Sequence, residues 1–441
     1  MIVLRNVVDS GYFWLGKQPA EWAVVRGKDL FIKVSLPVRE EDEVVTCFRD
    51  GVTTLRKNRR EDGFTIALKE IGYQGVRSGH LVVHAMDAFA GAIGIADSDG
   101  KCSPVYSVCT PKYHGKIHLP YYAWVLRNMA TAGYIQSVAK GIRERSTDFR
   151  YSEVEDAHFA LPSRDEQRRI AAWLDLQTTR IDKRLALLGN KRELLLELRR
   201  NLIAEAIASG LKGHDKEPTG LPDLQQLPIG WNATQAKRLI RFITSGSRGW
   251  AEYYADEGDF FLRIGNLTRE TIELDLGDVQ HVALPAEAAE GKRTRIREGD
   301  MLVSITADLG SIAIAPELDK PAYVNQHIAL CRPKDRVHPR WLGYAMLSRQ
   351  SKQQMMNSGY GGTKIQLSLD DVRNVWLGVP PFDEQREIAA YLDQRLDNIA
   401  RQINLIDRLE ALLKEQRKAL IHEAVTGKID LSNYEPPAQA A

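Results

Sequence analysis

The sequence DEQRRIAAWLD occupies residues 165–175, and a near copy, DEQREIAAYLD, occupies residues 383–393. The same spacing pairs Pro162 with Pro380 and Glu205 with Glu423, and no gap is needed between these points. A fixed spacing held over so many positions indicates an internal duplication rather than a chance match. The chain is therefore predicted to consist of two related halves.

Upstream of the repeated phrase the two halves also correspond. PAEWAVVRGKDL from Pro19 aligns with PIGWNATQAKRL from Pro228, and VRSGHLVVH near Gly79 aligns with IREGDMLVS near Gly299. Short apolar runs broken by Gly and Asp favour strands. Each half is thus predicted to be a globular domain of about 150 residues followed by a long helix.

Apolar residues in the two helical stretches recur every seven positions, which is the spacing of a coiled-coil seam. The predicted seam consists of Leu174, Ile181, Leu188, Leu195 and Leu202 in the first copy, and of Leu392, Ile399, Ile406, Leu413 and Leu420 in the second. A single helix would leave its leucine stripe in water, so the two copies are expected to pair with each other. Because the second helix must bring the chain back, we expect the pair to be antiparallel.

The predicted fold class is α+β, with two globular domains separated by a pair of long antiparallel coiled-coil helices that are related by a pseudo-twofold repeat. The predicted divisions are a globular domain over residues 1–160, a helical region over 161–212, a linker with the second globular domain over 213–378, a second helical region over 379–430 and a disordered tail over 431–441.

Composition limits the possible environments. The formal net charge is only +2, so a basic surface would have to be local. The four cysteines show no CxxC spacing, which argues against a zinc site or a disulfide framework and favours a reducing cytoplasm. No signal-peptide core and no uncharged apolar run of about 18 residues is found in the sequence, and we expect a soluble intracellular protein.

Catalytic motifs are weak. VPPFDEQ resembles the Asn/Asp-Pro-Pro-Phe/Tyr motif of adenine methyltransferases, but Val379 occupies the polar position and cannot accept a hydrogen bond from the adenine amine. We find no glycine-rich methyl-donor loop, no Walker lysine loop and no HExxH pattern. Histidines such as His84 and His327 are therefore assigned to core or surface roles. The sequence predicts a non-catalytic protein without a metal site.

Several loops combine basic, polar and aromatic residues that suit contacts with DNA bases and phosphates. The candidate DNA-binding residues are Arg56, Lys57, Asn58, Arg59, Arg60, Lys140, Arg143, Arg145, Ser245, Ser247, Arg248, Lys292, Arg293, Arg295, Tyr360 and Lys364. A solvated charged loop is the ordinary interpretation of any one of these stretches. Basic loops at matching places in both halves favour nucleic-acid binding.

Taken together, these stretches resemble the specificity subunits of type I restriction-modification systems. PPFDEQREIAAYLD and LIHEAVTGKIDL are similar to the conserved regions of that family, and LPIGW, FLRIGNL, REGDMLVS and VNQHIAL are similar to parts of its target-recognition domains. The first copy departs from the pattern, with LPSRDEQ where the second has VPPFDEQ, and this affects only the entry into the first helix.

The resemblance implies two target-recognition domains, each recognising one half of a bipartite, asymmetric sequence in double-stranded DNA. It implies that the helices act as a spacer and dock two modification (methyltransferase) subunits, with two restriction (motor-nuclease) subunits completing the complex. S-adenosylmethionine would then belong to the modification subunits, and ATP and Mg²⁺ to the restriction subunits. This chain would bind none of these cofactors.

Two other functions remain open at this point. A coiled-coil scaffold that binds proteins but not DNA would share the seam, and charge reversal in the basic loops would then leave DNA binding by the complex intact. A degenerate adenine methyltransferase would have to bind the methyl donor as an isolated chain.

Overall fold

The structure, a computed structural model, describes residues 5–59, 70–139, 148–213, 215–285, 289–358 and 366–436. The chain divides into two compact units, residues 1–188 with 408–441, and residues 189–407. Both boundaries fall inside long helices, so each unit contains one globular part and a portion of each helix.

The globular part of the first unit is built on a four-stranded antiparallel sheet. Its strands are β1 (Val8–Asp9), β2 (Lys17–Gln18), β3 (Ala23–Arg26), β4 (Phe31–Val34), β5 (Val45–Cys47), β6 (Thr53–Leu55), β7 (Gln74–Val76), β8 (Leu81–His84), β9 (Ile93–Ile95), β10 (Gly100–Cys102), β11 (Tyr106–Pro111) and β12 (His158–Leu161). Its helices are α1 (Gly27–Leu30), α2 (Leu119–Thr131), α3 (Tyr134–Val138), α4 (Tyr151–Asp156) and the start of α5 (Arg164–Ser209). The four-stranded sheet has the order β4-β11-β8-β9, and α2 packs beneath it in the main core of the unit.

The second unit contains a sheet of the same kind. Its strands are β13 (Lys216–Leu221), β14 (Leu224–Pro228), β15 (Asn232–Gln235), β16 (Ile240–Ser245), β17 (Tyr254–Ala255), β18 (Asp259–Leu262), β19 (Gln280–Val282), β20 (Met301–Ser304), β21 (Ile312–Ile314), β22 (Ala322–Val324), β23 (Ile328–Pro333) and β24 (Trp376–Val379). Its helices are α6 (Ala289–Thr294), α7 (Pro339–Leu347), α8 (Arg349–Ser358), α9 (Leu369–Arg373) and the start of α10 (Phe382–Val425). One four-stranded sheet has the order β16-β23-β20-β21, and β17-β19-β18-β22 forms a further sheet.

The two main sheets have the same strand order once β4, β8, β9 and β11 are matched with β16, β20, β21 and β23. The strand before each long helix also pairs in the same way, β12 with β3 and β24 with β15. This shared topology agrees with the duplication predicted from the sequence.

Ion pairs define how α5 and α10 run past each other. In the first unit Asp182 pairs with Arg417 at 3.1 Å. In the second unit Arg192 pairs with Asp407 at 3.3 Å and Lys212 with Glu387 at 2.9 Å. As the residue number rises along α5 from one pair to the next, the residue number of the partner on α10 falls by the same amount. The helices are therefore antiparallel. The predicted fold class is confirmed.

The predicted seam residues are buried to different depths. The buried members are Leu174, Ile181, Leu195, Leu392, Ile399, Ile406 and Leu420. Leu188, Leu202 and Leu413 are half-buried. At about 1.5 to 3 kcal/mol for a fully buried leucine-sized side chain, the buried members supply a large part of the stability of the helix pair.

The repeated phrase anchors each globular part to its helix. In the first unit Trp22 donates its indole N–H to Glu166 at 3.0 Å, and in the second unit Trp231 donates to Glu384 at 3.2 Å. In each phrase the glutamate after the first Asp therefore accepts a hydrogen bond from a tryptophan near the start of its own domain. This contact explains why the Trp and the phrase recur together.

The glutamine of each phrase satisfies the backbone at the start of another helix. Gln167 accepts the backbone N–H of His118 at 2.8 Å and donates to the carbonyl of Pro162 at 2.9 Å. Gln385 accepts the N–H of His338 at 2.9 Å and donates to the carbonyl of Pro380 at 3.0 Å. A side-chain amide provides both a donor and an acceptor, which a carboxylate does not.

The last Asp of the phrase makes the third anchor, and here the halves differ. Asp175 accepts the indole N–H of Trp124 at 2.8 Å. Asp393 accepts the hydroxyl of Tyr344 at 2.6 Å and the Arg340 guanidinium at 2.8 Å. Burial and the neighbouring Asp393 carboxylate raise the pKa of Tyr344, so its hydroxyl remains a donor.

Some local predictions are wrong. The stretch predicted as a linker after Gly213 forms the β13–β14 hairpin, because Leu224 and Leu227 are buried and hold it against the domain. The predicted disordered tail begins with ordered residues, since Leu431 is buried and Tyr434 packs against the first core. Residues 437–441 lie outside the described residues.

Helical segments of both globular parts are interrupted. Gly133 has a positive φ of 79° and ends the path of α2 before α3 begins, as glycine allows without steric cost. Ser348 separates α7 from α8 in extended backbone. Over the described ranges, none of the helices combines the length and apolar character needed to cross a bilayer.

Candidate nucleic-acid interface

One end of the main sheet gathers the polar loops of the second unit. In the antiparallel register Ser245 at the end of β16 lies opposite Ala329, and Ser304 at the end of β20 lies opposite Ile328. The loops that follow β16 and β20 and the loop that precedes β23 therefore emerge at the same end. We call this end of the β16-β23-β20-β21 sheet the second-unit loop face.

Basic residues predicted from the sequence border this face. Arg293 donates to the hydroxyl of Thr244 and, at 3.4 Å, to the carbonyl of Ser245. Arg248 is exposed and has no ion pair among the described residues. Arg295 is also exposed, next to its bridge partner Tyr323. The two separate sequence stretches that carry these cations are joined by a hydrogen bond between Ser247 and Thr294.

Ser247 corrects one prediction. Its side chain is fully buried and its hydroxyl is hydrogen-bonded to Thr294 at 2.9 Å. A buried hydroxyl with an internal partner cannot contact DNA without a rearrangement, so Ser247 shapes the loop that presents Arg248. It is a structural residue here.

Further polar residues of this face were missed by sequence reasoning. The hydroxyl of Thr306 lies 2.9 Å from Nδ1 of His327, and the Gln326 amide lies 3.1 Å from Nε2 of the same ring. Ala307 has a φ of 56°, in a region that residues other than glycine seldom adopt. Strained backbone of this kind is concentrated at functional sites. The stretch VNQHIAL contains Gln326 and His327, but its likeness to the family was noted only for the stretch as a whole, so neither residue was singled out.

The first unit has a corresponding face at the same end of its sheet. Tyr106 at the start of β11 lies opposite His84 at the end of β8, and their rings are 4.5 Å apart. Arg56 lies near Tyr106 and donates to the hydroxyl of Thr46 at 3.1 Å. Asn58 donates to Thr54 at 3.0 Å. We call this end the first-unit loop face.

Two predicted cations of the first-unit loop face, Lys57 and Arg59, are already paired with acids. Lys57 contacts Glu43 at 2.5 Å, and Arg59 donates to Asp50 at 2.8 Å while its guanidinium lies 4.5 Å from the ring centre of Phe48. Burial raises the pKa of Asp50, but the hydrogen bonds from Arg59 and the Val52 backbone, together with the charges of Arg59 and Arg127, outweigh it and hold the pKa below its ordinary value.

Another cation on this face was not predicted. Arg49 pairs with Asp87 at 2.8 Å and is largely exposed. Exposed ion pairs of this kind are weak, so a DNA phosphate could replace the acid.

Some candidates cannot be placed. Arg60, Lys140, Arg143, Arg145, Tyr360 and Lys364 lie outside the described residues, as does the side chain of Lys292. Across the part of the chain that is described, His, Cys, Asp and Glu side chains form no group that could hold a metal ion.

Comparison with known proteins shows which family this arrangement is similar to. Residues 277–411, which include strands of the second-unit loop face and the start of α10, match the model of the type I restriction modification DNA specificity domain. The resemblance predicted from the sequence is therefore confirmed. This chain is similar to type I specificity subunits.

A curated relative supports the similarity. The specificity subunit of the type I restriction enzyme EcoBI from Escherichia coli is 24% identical over 262 residues, which cover 57% of this chain and 54% of the relative. The match thus spans about half the length of that specificity subunit.

Solved structures show that the similarity in fold extends over nearly the whole chain. A chain from a structure concerned with complex assembly and conformational transition of the type I R-M system has a TM-score of 0.68 at 19% identity, covering 93% of this chain and 99% of that one. The HsdS subunit from Thermoanaerobacter tengcongensis has a TM-score of 0.51 at 20% identity, covering 95% and 99%. At these identities the comparison establishes the fold of type I specificity subunits.

Proposed function

We propose that the chain is the DNA sequence-specificity subunit of a type I restriction-modification complex, and that each loop face recognises one half of a bipartite target. The observation that supports this most is the loop face itself. The same end of an equivalent sheet carries polar and basic side chains in both units. Because the side chains differ between the two faces, the two half-sites differ and the complete target is asymmetric.

In this function the chain is a non-catalytic recognition subunit. S-adenosylmethionine, ATP and Mg²⁺ belong to partner subunits, in a cytoplasmic complex. Similarity to specificity subunits supports this assignment against the degenerate methyltransferase, as does Val379 at the position where such an enzyme needs a polar residue.

Docking of partner subunits is supported by exposed leucines on the helices. In the first unit the side chains of Leu187 and Leu412 are 68% and 61% exposed, and in the second unit those of Leu194 and Leu405 are 64% and 58% exposed. Leu187 corresponds to Leu405 in the repeat, and Leu194 to Leu412. Each unit therefore presents an equivalent apolar pair, which water disfavours and which fits one modification subunit per unit.

This docking model predicts a change in stoichiometry. Replacing Leu194 and Leu405 by Glu places two charges in the patch of the second unit and leaves the first-unit patch unchanged. Mass photometry of the purified complex should then show one bound modification subunit instead of two. The reciprocal variant, Leu187→Glu with Leu412→Glu, should also bind one. Retention of two subunits by both variants would show that the leucine pairs are not the docking sites.

Charge reversal tests the assignment of half-sites. Arg248→Glu should weaken binding of the complex to its target by about tenfold or more, as expected for a lost base or phosphate contact of about 1 to 3 kcal/mol. The loss caused by Arg248→Glu should disappear when the half-site recognised by the second unit is scrambled. The loss caused by Arg56→Glu should disappear when the other half-site is scrambled. Binding to DNA in which one half-site is scrambled measures each contribution.

A matched control lies at the opposite end of the same sheet. Arg241 is the second residue of β16, at the end of the strand away from the loop face, and pairs with Asp335 at 2.9 Å. Arg241→Glu should leave DNA binding within about twofold, because a long-range surface charge is screened by salt. Equal losses in the Arg241 and Arg248 variants would instead show that the loss reflects the net charge of the chain and not a contact at the loop face, whereas unchanged binding in both would favour the coiled-coil scaffold.

A further inference from the structure

A cavity of about 510 Å³ lies in the second unit, between the last turns of α5 and the junction of α7 with α8. Its apolar side is formed by Ala204, Ile207, Ala208 and Pro222. The opposite side is polar and includes Ser348 at the helix junction. This volume lies within the range of sites that bind a small molecule or a large side chain.

The corresponding place in the first unit is filled by the chain itself. By the spacing of the repeat, His422 corresponds to Ala204. The matched backbone contacts of His118 and His338 with the phrase glutamines make Asn128 the counterpart of Ser348. Nδ2 of Asn128 lies 3.4 Å from Nδ1 of His422. A bridge of two large side chains in the first unit is thus replaced by Ala and Ser in the second.

Two further replacements enlarge the space. Buried Met129 corresponds to Arg349 by the same alignment, and buried Trp14 corresponds to Asp223 because Leu15 and Leu224 are the matching buried residues of the two hairpins. In the first unit an indole and a thioether therefore occupy the equivalent region. The second unit keeps the surrounding backbone but lacks these groups.

The rim of the cavity is charged. An adjoining cavity of about 550 Å³ shares Ala204, Ser348, Arg349 and Gln353 with the first. Its cationic lining residues are Arg200, Arg269, Arg349 and Lys352, and its acidic ones are Glu197 and Glu270. Arg349 is exposed and forms no ion pair with any described residue. Arg200 pairs with Glu270 and Arg269 with Asp308, and Asp223 lines the first cavity, so Arg349 is the cation on this rim that a negatively charged group would complement.

We propose that these two cavities bind an acidic segment of a partner subunit that inserts an aromatic side chain against Ala204 and Ile207. The aromatic group takes the place that corresponds to Trp14 of the first unit, and an acidic residue of the segment pairs with Arg349. The leucine pairs are equivalent in the two units, whereas this site is formed only in the second. A partner can therefore make this contact with the second unit and not with the first, although the two units are related by the repeat.

The inference rests on the proposed function to the extent that partner subunits assemble with this chain. Its test uses the full-length chain in the assembled complex, with the photo-crosslinker p-benzoylphenylalanine in place of Gln353 on the shared rim. Irradiation should attach a partner peptide, identified by mass spectrometry, that contains an aromatic residue within a net acidic segment. Absence of a crosslink, or a crosslink to DNA, to this chain's own terminus or to a segment lacking those residues, would overturn the proposal.

The matched control fills the cavity with the side chains that the first unit has at the equivalent positions. Ala204→His together with Ser348→Asn copies the first-unit bridge, and should lower the crosslink yield at least about tenfold. A second variant, Arg349→Glu, alters only an exposed residue and should lower the yield as well, which protects the test if the filled variant fails to fold. Unchanged yield in Arg349→Glu would contradict the charge argument. Methylation by the same complex separates the two claims, since a complex that methylates its target without a crosslink refutes only this inference.

Discussion

A fragment of residues 215–441 is expected to form a dimer in solution. The fragment contains the second globular part and all of α10, but not α5. In the intact chain the seam residues Ile399 and Ile406 of α10 are buried, and ion pairs hold α5 beside this part of α10. Without α5 these side chains would face water at a cost of about 1.5 to 3 kcal/mol each, so a second copy of α10 should replace it.

The structure predicts which charge change strengthens that dimer. In the first unit Arg417 pairs with Asp182, and the repeat places Ala400 at the position equivalent to Asp182. In a dimer of two α10 helices, Ala400 would face Arg417 without forming an ion pair. Ala400→Asp should restore the pair twice and lower the dissociation constant by roughly three- to tenfold, at up to about 1 kcal/mol per partly exposed pair.

Sedimentation velocity over a concentration series measures both effects. With modification subunits supplied, the dimer presents the same loop face twice and should direct methylation to a palindromic split site. A folded monomer at micromolar concentration would contradict the pairing of the helices. A dimer that methylates only asymmetric sites would contradict the assignment of one half-site to one unit.

Asp393→Asn is expected to destabilise the second unit by about 2 kcal/mol, because hydrogen bonds to charged groups contribute about 1.5 to 3 kcal/mol. Asp393 holds both Tyr344 and Arg340, and Arg340 also pairs with Glu273. Burial lowers the pKa of Arg340, but the hydrogen bonds to Glu273 and Asp393 outweigh it and raise the pKa. The guanidinium thus stays charged, and the amide of Asn cannot neutralise it.

The first half provides the matched control. Asp175 accepts one hydrogen bond, from the neutral indole of Trp124, and its side chain is exposed. The amide oxygen of Asn can accept the same bond, so Asp175→Asn should change stability by less than about 0.5 kcal/mol. Differential scanning calorimetry should place the melting temperature of the Asp393 variant at least about 4 °C below that of the Asp175 variant. Equal shifts would show that the charged anchor is not stronger than the neutral one.

Periodicity and repetition made part of the fold predictable from the sequence. The heptad spacing from Leu174 and from Leu392 depends only on helix geometry, so the long helices and their mutual pairing follow directly. The recurrence of Trp22 and Trp231 with the two phrases also marked the start of each domain. Their role as donors to Glu166 and Glu384 could not be seen, because it depends on contacts across more than a hundred residues.

The binding surface was less predictable, since loops were judged by composition alone. Lys57 and Arg59 looked free in the sequence, yet Glu43 and Asp50 neutralise them from neighbouring loops. Ser247 looked accessible but is buried against Thr294. His327 was assigned to the core or surface, because nothing in the sequence placed it beside Thr306 at the sheet end. Such juxtapositions arise from strand order, which sequence pattern does not specify.

The central claim is that two different loop faces in one chain recognise two different half-sites. The most direct measurement is to co-express the chain with its modification subunit and map methylated adenines across the host genome. The account predicts a single asymmetric motif made of two short specific blocks separated by a gap of fixed length. A continuous recognition block, or a palindromic motif from the intact chain, would contradict it.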